Sequence, residues 1–107
     1  MIRTEAPTYT AAIYIAGDMD TARATCRRHC MDVGLCVTVE PVEFIYTGGS
    51  ETGVRVGLIN YPRFPATPAE IWAKAEALAV LLKDALCQHS LSIVAPDKTV
   101  WLSWRES

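Results

Sequence analysis

Apolar residues along this chain come in two patterns, short runs or alternations of period two and longer stretches that recur every three to four residues. Their order predicts the fold. The run YTAAIYIAG, residues 9–17, is bounded by a glycine and predicts a buried strand. The spacing then becomes helical, with Ala22, Cys26, Cys30 and Val33 on one face and Arg23, Arg27 and Arg28 largely on the other. Asp18 or Asp20 is placed to cap the start of this helix, and Gly34 sits where a left-handed residue ends one. Apolar and β-branched residues from Cys36 to Thr47 and from Val54 to Tyr61 predict a hairpin, with Gly48, Gly49 and Gly53 supplying the positive φ angles of the reversal. Val37 and Val39 share one phase and Val42, Phe44 and Tyr46 the other, so Pro41 predicts a bulge, a bend or an edge-strand position.

The stretch NYPRFPATPAE carries three prolines and predicts a stiff, extended connection. Thr67, Pro68 and Glu70 form a capping-box pattern with proline at the first helical position, so a second helix begins there. Ile71, Ala75, Leu78, Leu82 and Ala85 make its core stripe, to which Trp72 is also assigned, and it is expected to run to about Gln88. Glu70 with Lys74 and Glu76 with Lys83 are expected on its outer surface. The tail alternates through Leu91 and Ile93, turns near Pro96 to Lys98 and resumes at Val100, as one broken strand or a terminal hairpin. The order strand, helix, strand, strand, helix, strand predicts an α+β protein with a ferredoxin-like (split βαβ) sandwich, two helices lying on one face of an antiparallel sheet.

Bulk properties narrow the function classes. A chain of 107 residues, half of them hydrophobic, has material for one core, so residues 1–107 are expected to form a single domain. Ten Lys and Arg against twelve Asp and Glu leave a net charge of −2, which argues against nucleic acid as the partner. The N-terminus lacks the basic start and apolar core of a secretion signal, and no apolar run is long enough to span a bilayer, so the expected location is the cytoplasm.

Candidate chemistry is sparse. The four cysteines show no CxxC spacing, so they are expected to be free and no metal or cofactor is implied. His29 and His89 lie beside or near cysteines, but adjacent helix positions diverge and do not form a dyad. TGGSETG lacks the Lys and Ser or Thr of a phosphate-binding loop and precedes a strand, which makes it a hairpin turn. Aromatic and charged residues are more suggestive of an interaction surface. Tyr61, Arg63 and Phe64 lie in the stiff connection, Tyr46, Glu51 and Arg55 on the hairpin, and Trp101 and Trp104 in the tail, where three-residue spacing puts them on opposite faces of a straight strand.

Two resemblances accompany these residues. IYIAGDM, Ile13 to Met19, resembles the IYIAGPM opening of nucleoside 2-deoxyribosyltransferase-like enzymes, which implies a nucleoside near Gly17 and Asp18. Asp18 replaces that motif's proline, and no second half with its catalytic carboxylate follows. The stretches LCVTVEPVEFIYTGG and VGLINYPRFP look like parts of small uncharacterised proteins of phages, prophages and mobile regions of proteobacteria, which implies an accessory protein of viral origin.

These readings lead to a non-enzymatic protein-interaction module that binds a host protein or itself as a homodimer. An inhibitor of the anti-CRISPR or anti-defence type is one form of it. The alternative is a small-ligand or nucleotide-binding enzyme or sensor whose pocket lies between sheet and helices, with Gly17, Asp18 and His29 as its residues and Tyr61 nearby.

Overall fold

The computed structural model describes residues 1–105. Its order is β1 (Thr10–Ala16), α1 (Met19–Val33), β2 (Thr38–Tyr46), β3 (Gly49–Ile59), α2 (Pro68–Ala85), β4 (Ser90–Val94) and β5 (Thr99–Ser103). All neighbouring strands are antiparallel in the order β2-β3-β1-β4-β5, and both helices pack on one face. This is the expected ferredoxin-like sandwich, and the tail is a hairpin that adds a fifth strand. Among the described residues no helix is long and apolar enough to cross a membrane.

Local chemistry sets the helix ends. The Asp18 carboxylate accepts from the Thr21 amide and hydroxyl, both at 2.9 Å, and Gly34 closes α1 at φ 69° with its amide donating to the Cys30 carbonyl. Those bonds hold the Asp18 carboxyl below its ordinary range. In α2 the Glu70 amide donates to the Thr67 hydroxyl while the Thr67 amide donates to the Glu70 carboxylate, closing the capping box. The helix ends at Ala85, earlier than expected, because the chain turns left-handed at Cys87, φ 56°. Glu70 is occupied by the cap and forms no ion pair with Lys74, and Glu76 accepts from the Trp72 indole.

In the hairpin, the edge-strand alternative for Pro41 holds, and the expectation for the three glycines needs correction. Residues β2 and β3 pair without a break from Thr38 with Gly57 to Tyr46 with Gly49, so Pro41 introduces no bulge. It is tolerated because β2 is an edge strand whose proline need not donate. Gly48 alone among the three glycines has positive φ, 87°, and the loop is only Thr47–Gly48. Gly49 and Gly53 belong to the strand. The hairpin is therefore long, and residues 43–52 extend past the end of β1, whose last paired residue, Ala16, faces Gly53.

The core lies between sheet and helices. Ile13, Ile15, Val54, Val56 and Ile93 from the sheet meet Leu78 and Leu82 of α2, with Ala22 and Cys26 of α1 beside them. Burial pushes the Cys26 thiol up to about 11, so it remains an apolar thiol at neutral pH. Gly17, at φ 137°, lets β1 pass beneath Leu86, since a Cβ there would come within 2.9 Å of that side chain.

Candidate functional site

The face of the sheet away from the helices is uncovered, and one cross-strand row on it is polar throughout. Glu40 pairs with Arg55, Arg55 with Tyr14, Tyr14 with Ser92 and Ser92 with Trp101, so five strands contribute one residue each. The Arg55 Nε donates to the Tyr14 hydroxyl at 3.1 Å and its Nη1 to Glu40 Oε1 at 2.8 Å. The Tyr14 bond and then the Glu40 bond tighten Arg55's hold on its charge against partial desolvation. Because Tyr14 accepts from Arg55, its own hydroxyl hydrogen is left to donate outward.

Small residues flank the row and keep the surface open. Gly57 and Ala12 lie on one side, Gly53 and Ala16 on the other. The Phe44 ring lies against Gly53, where an added Cβ would meet it at 2.4 Å. That ring, with Tyr14 and Trp101, walls a cleft of about 180 Å³ whose polar groups are Glu51, Gln88, Ser90 and Ser92. Glu51 is the one charged residue lining this cleft, and it makes no ion pair among the described residues. Aromatic faces beside an unpaired carboxylate suit a cationic ligand with a flat, stackable part.

Other hollows differ in charge. A cavity of about 310 Å³ opens between the end of α1, β3 and the proline-rich connection, with Tyr61, Phe64 and Lys74 at its rim, and a groove of about 360 Å³ runs beside it along Arg23 and Arg27. Neither is lined by a carboxylate. His29 lines a separate shallow hollow with Arg28 and Asp32.

The residues singled out from sequence are therefore dispersed. Arg55, Glu51 and Trp101 meet on the open face, and Tyr46 lies on the same face farther along the hairpin. Tyr61 and Phe64 border the other cavity, and the Arg63 guanidinium stacks on the Phe64 ring at 5.3 Å. Trp104 leaves the strand and sits under the Lys83 ammonium at 4.7 Å, on the helix side. Gly17, Asp18 and His29 do not converge: the glycine serves packing, the aspartate a cap, and the histidine lies on α1 about 15 Å farther along the helix axis. Among the described residues, Tyr61 and His29 line different hollows, and Asp18 lines neither of them. Among the described residues no group of His, Cys, Asp or Glu is gathered for a metal, and the four cysteines are free.

Sequence reasoning missed Tyr14, Phe44, Gln88, Ser90 and Ser92. A signal was present in β3, where Gly53, Arg55 and Gly57 share the phase opposite Val54, Val56 and Leu58. Small residues alternating with a charge mark a sheet face kept clear of packing.

No protein-family model and no curated protein matches this chain. Solved structures do. A phage SAM lyase in complex with S-methyl-5'-thioadenosine superposes with a TM-score of 0.76 at 15% identity, over 99% of this chain and 98% of the other. A phage SAM lyase in the apo state gives 0.66 at 16% identity over 92% of each. The chain thus has, over its whole length, a fold that an enzyme uses. That finding overturns the expectation of a non-enzymatic interaction module or host-protein inhibitor, and it favours the small-ligand enzyme instead.

Proposed function

We propose that this protein is a small enzyme that binds S-adenosylmethionine on the open face of its sheet and cleaves it as a lyase, releasing methylthioadenosine. The observation that carries the reading is the cleft beside the Glu40–Arg55–Tyr14–Ser92–Trp101 row, which offers aromatic walls and a single carboxylate, without an ion-pair partner among the described residues. The full-length likeness to phage SAM lyase supports it. S-adenosylmethionine carries a sulfonium, a flat adenine and an amino acid, and these find counterparts in Glu51, in Trp101 or Phe44, and in Arg55 with Tyr14. The cavities lined by Lys74, Arg23 and Arg27 would repel the cation.

The chemistry makes modest demands. The substrate's own carboxylate oxygen bonds to the amino-acid Cγ to close a five-membered lactone as the Cγ–sulfur bond breaks, so its electron pair goes to sulfur and the sulfonium becomes a neutral thioether. The leaving group needs neither a proton nor a metal. The protein's part is to hold the two ends of the substrate in a fixed relation and keep water from the reacting carbon. A cleft of about 180 Å³ encloses only part of such a molecule, so the rest lies along the row toward Arg55.

Self-association belongs to the proposal, because residues 43–52 project beyond the sheet with Ile45 77% exposed and Tyr46 beside it. A phage or prophage origin and a cytoplasmic place of action complete it. Incubating the purified protein with S-adenosylmethionine and following methylthioadenosine by chromatography tests the activity. Release that falls at least tenfold in Glu51→Gln and Trp101→Ala, with melting temperatures retained, supports the reading. The absence of both turnover and binding at millimolar substrate would refute it. Light scattering tests the self-association, which a strict monomer would exclude.

A further inference from the structure

The cavity at the end of α1 has the opposite chemistry to the open-face cleft. It lies on the helix side of the sheet, and Leu35, Leu58, Ile71 and Ala66 make its walls. Its one charged lining residue is Lys74, whose ammonium makes no ion pair among the described residues. The adjoining groove adds Arg27, also without an ion-pair partner among them. The charged side chains lining both hollows are all cationic, and the cavity walls are largely apolar.

The rim is fixed rather than loose. Asn60 clamps the connection from three directions: its amide donates to the Tyr9 carbonyl at 3.0 Å, its Nδ2 to the Pro7 carbonyl at 2.8 Å, and its Oδ1 accepts from the Ala66 amide at 2.9 Å. The Phe64 amide donates to the Tyr61 carbonyl at 2.9 Å, and prolines at 62 and 65 stiffen the turn. A Phe64 ring held 73% exposed by so constrained a loop, at the mouth of an apolar cavity, has its ordering entropy spent before any ligand arrives. Tyr61 accepts a hydrogen bond from the Cys36 thiol at 3.3 Å, which leaves the tyrosine proton to donate. That bond, and then burial, raise the Tyr61 pKa, so the hydroxyl is a donor across the physiological range.

We propose that this cavity is a second ligand site, for a small apolar carboxylate. The hydrocarbon or aryl body sits against Leu58, Ile71 and Phe64, and the carboxylate lies at the mouth between the Lys74 ammonium and the Tyr61 hydroxyl. A volume of about 310 Å³ falls at the lower end of small-molecule pockets, which fits a body of medium chain length or one aromatic ring and excludes a long lipid. A bare anion such as phosphate would gain the charge and forgo the walls. The sheet separates this site from the open face, so its ligand does not compete with S-adenosylmethionine.

Octanoate, octanol, octylamine and inorganic phosphate, titrated against the full-length protein by calorimetry, test the assignment. Saturable binding of octanoate, weaker binding of octanol by about tenfold and none of octylamine or phosphate is expected. Lys74→Met weakens octanoate by about tenfold, and Ala66→Phe, which fills the mouth, abolishes it. Glu51→Gln on the other face leaves octanoate binding unchanged, which separates this site from the proposed activity. Equal binding of octanoate and octylamine, no saturation, or indifference to both cavity variants in protein of normal melting temperature would overturn the proposal.

Discussion

Two rows of residues cross the sheet side by side, and they differ in everything but position. Val39, Val56, Ile13, Ile93 and Val100 form one, and Glu40, Arg55, Tyr14, Ser92 and Trp101 the other, displaced by a single residue in every strand. The first row faces the helices, and its three central members are fully buried. The second faces out, and Trp101 in it is 66% exposed. A strand's two-residue period lets one stretch of chain build a core and an open polar face at once. Stability is written in one phase of that period and, on the proposed function, chemistry in the other.

Substitutions at adjacent positions should therefore separate cleanly. Ile13→Ala removes a side chain with no exposed surface and is expected to cost about 2–5 kcal/mol, read as a fall in the urea midpoint. Tyr14→Phe, one residue on, should leave that midpoint within about 1 kcal/mol while substrate turnover falls. A comparable loss of stability in both would break the distinction between faces.

Gly53→Ala sharpens it at the wall of the cleft. The new methyl would lie 2.4 Å from the Phe44 ring and 2.5 Å from the Ile15 carbonyl, so about 1–3 kcal/mol of destabilisation is expected, together with a displaced cleft wall. Turnover should drop more than the melting temperature alone would explain. Removing the α2 cap by Thr67→Ala acts on the helix layer only, with about 1 kcal/mol lost and turnover per folded molecule unchanged.

The smallest effect belongs to the surface ion pair. Glu40 is more than half exposed, so Glu40→Gln should change stability by less than about 1 kcal/mol. Its consequence is on substrate affinity, through an Arg55 released from its partner. Alkaline titration gives an independent reading of the buried layer. The Cys26 pKa is raised in the folded state, so its contribution to stability is complete at neutral pH and is lost as pH rises toward about 11. Cys26→Ala should flatten that part of the stability profile.

The sequence made the core row legible and left the polar row hidden, for a physical reason. Ile13, Ile15, Val54 and Val56 announce burial by composition, and Asp18, Gly34, Thr67 and Glu70 announce helix ends through contacts three or four residues apart. The open-face site depends on register between strands that are distant in sequence. Arg55, Glu51 and Trp101 stood out individually as aromatic or charged exposed residues. Nothing local ties Tyr14 to Ser92, or Phe44 to Gly53, until the pairing of β1 with β3 and β4 is known. The IYIAGDM run drew attention to Gly17 and Asp18, yet its Tyr14 is the residue that reaches the candidate site. The absence of a compact catalytic set within any one segment invited a non-enzymatic reading, whereas the proposed site draws on five strands.

Methylthioadenosine release from S-adenosylmethionine by the wild-type protein, compared with Glu51→Gln at equal folded concentration, tests the account most directly. Steady release by the wild type, reduced at least tenfold in the variant at unchanged melting temperature, is the predicted result. Release unaffected by Glu51→Gln, or no release from well-folded wild-type protein, would contradict the assignment of the open face as the site.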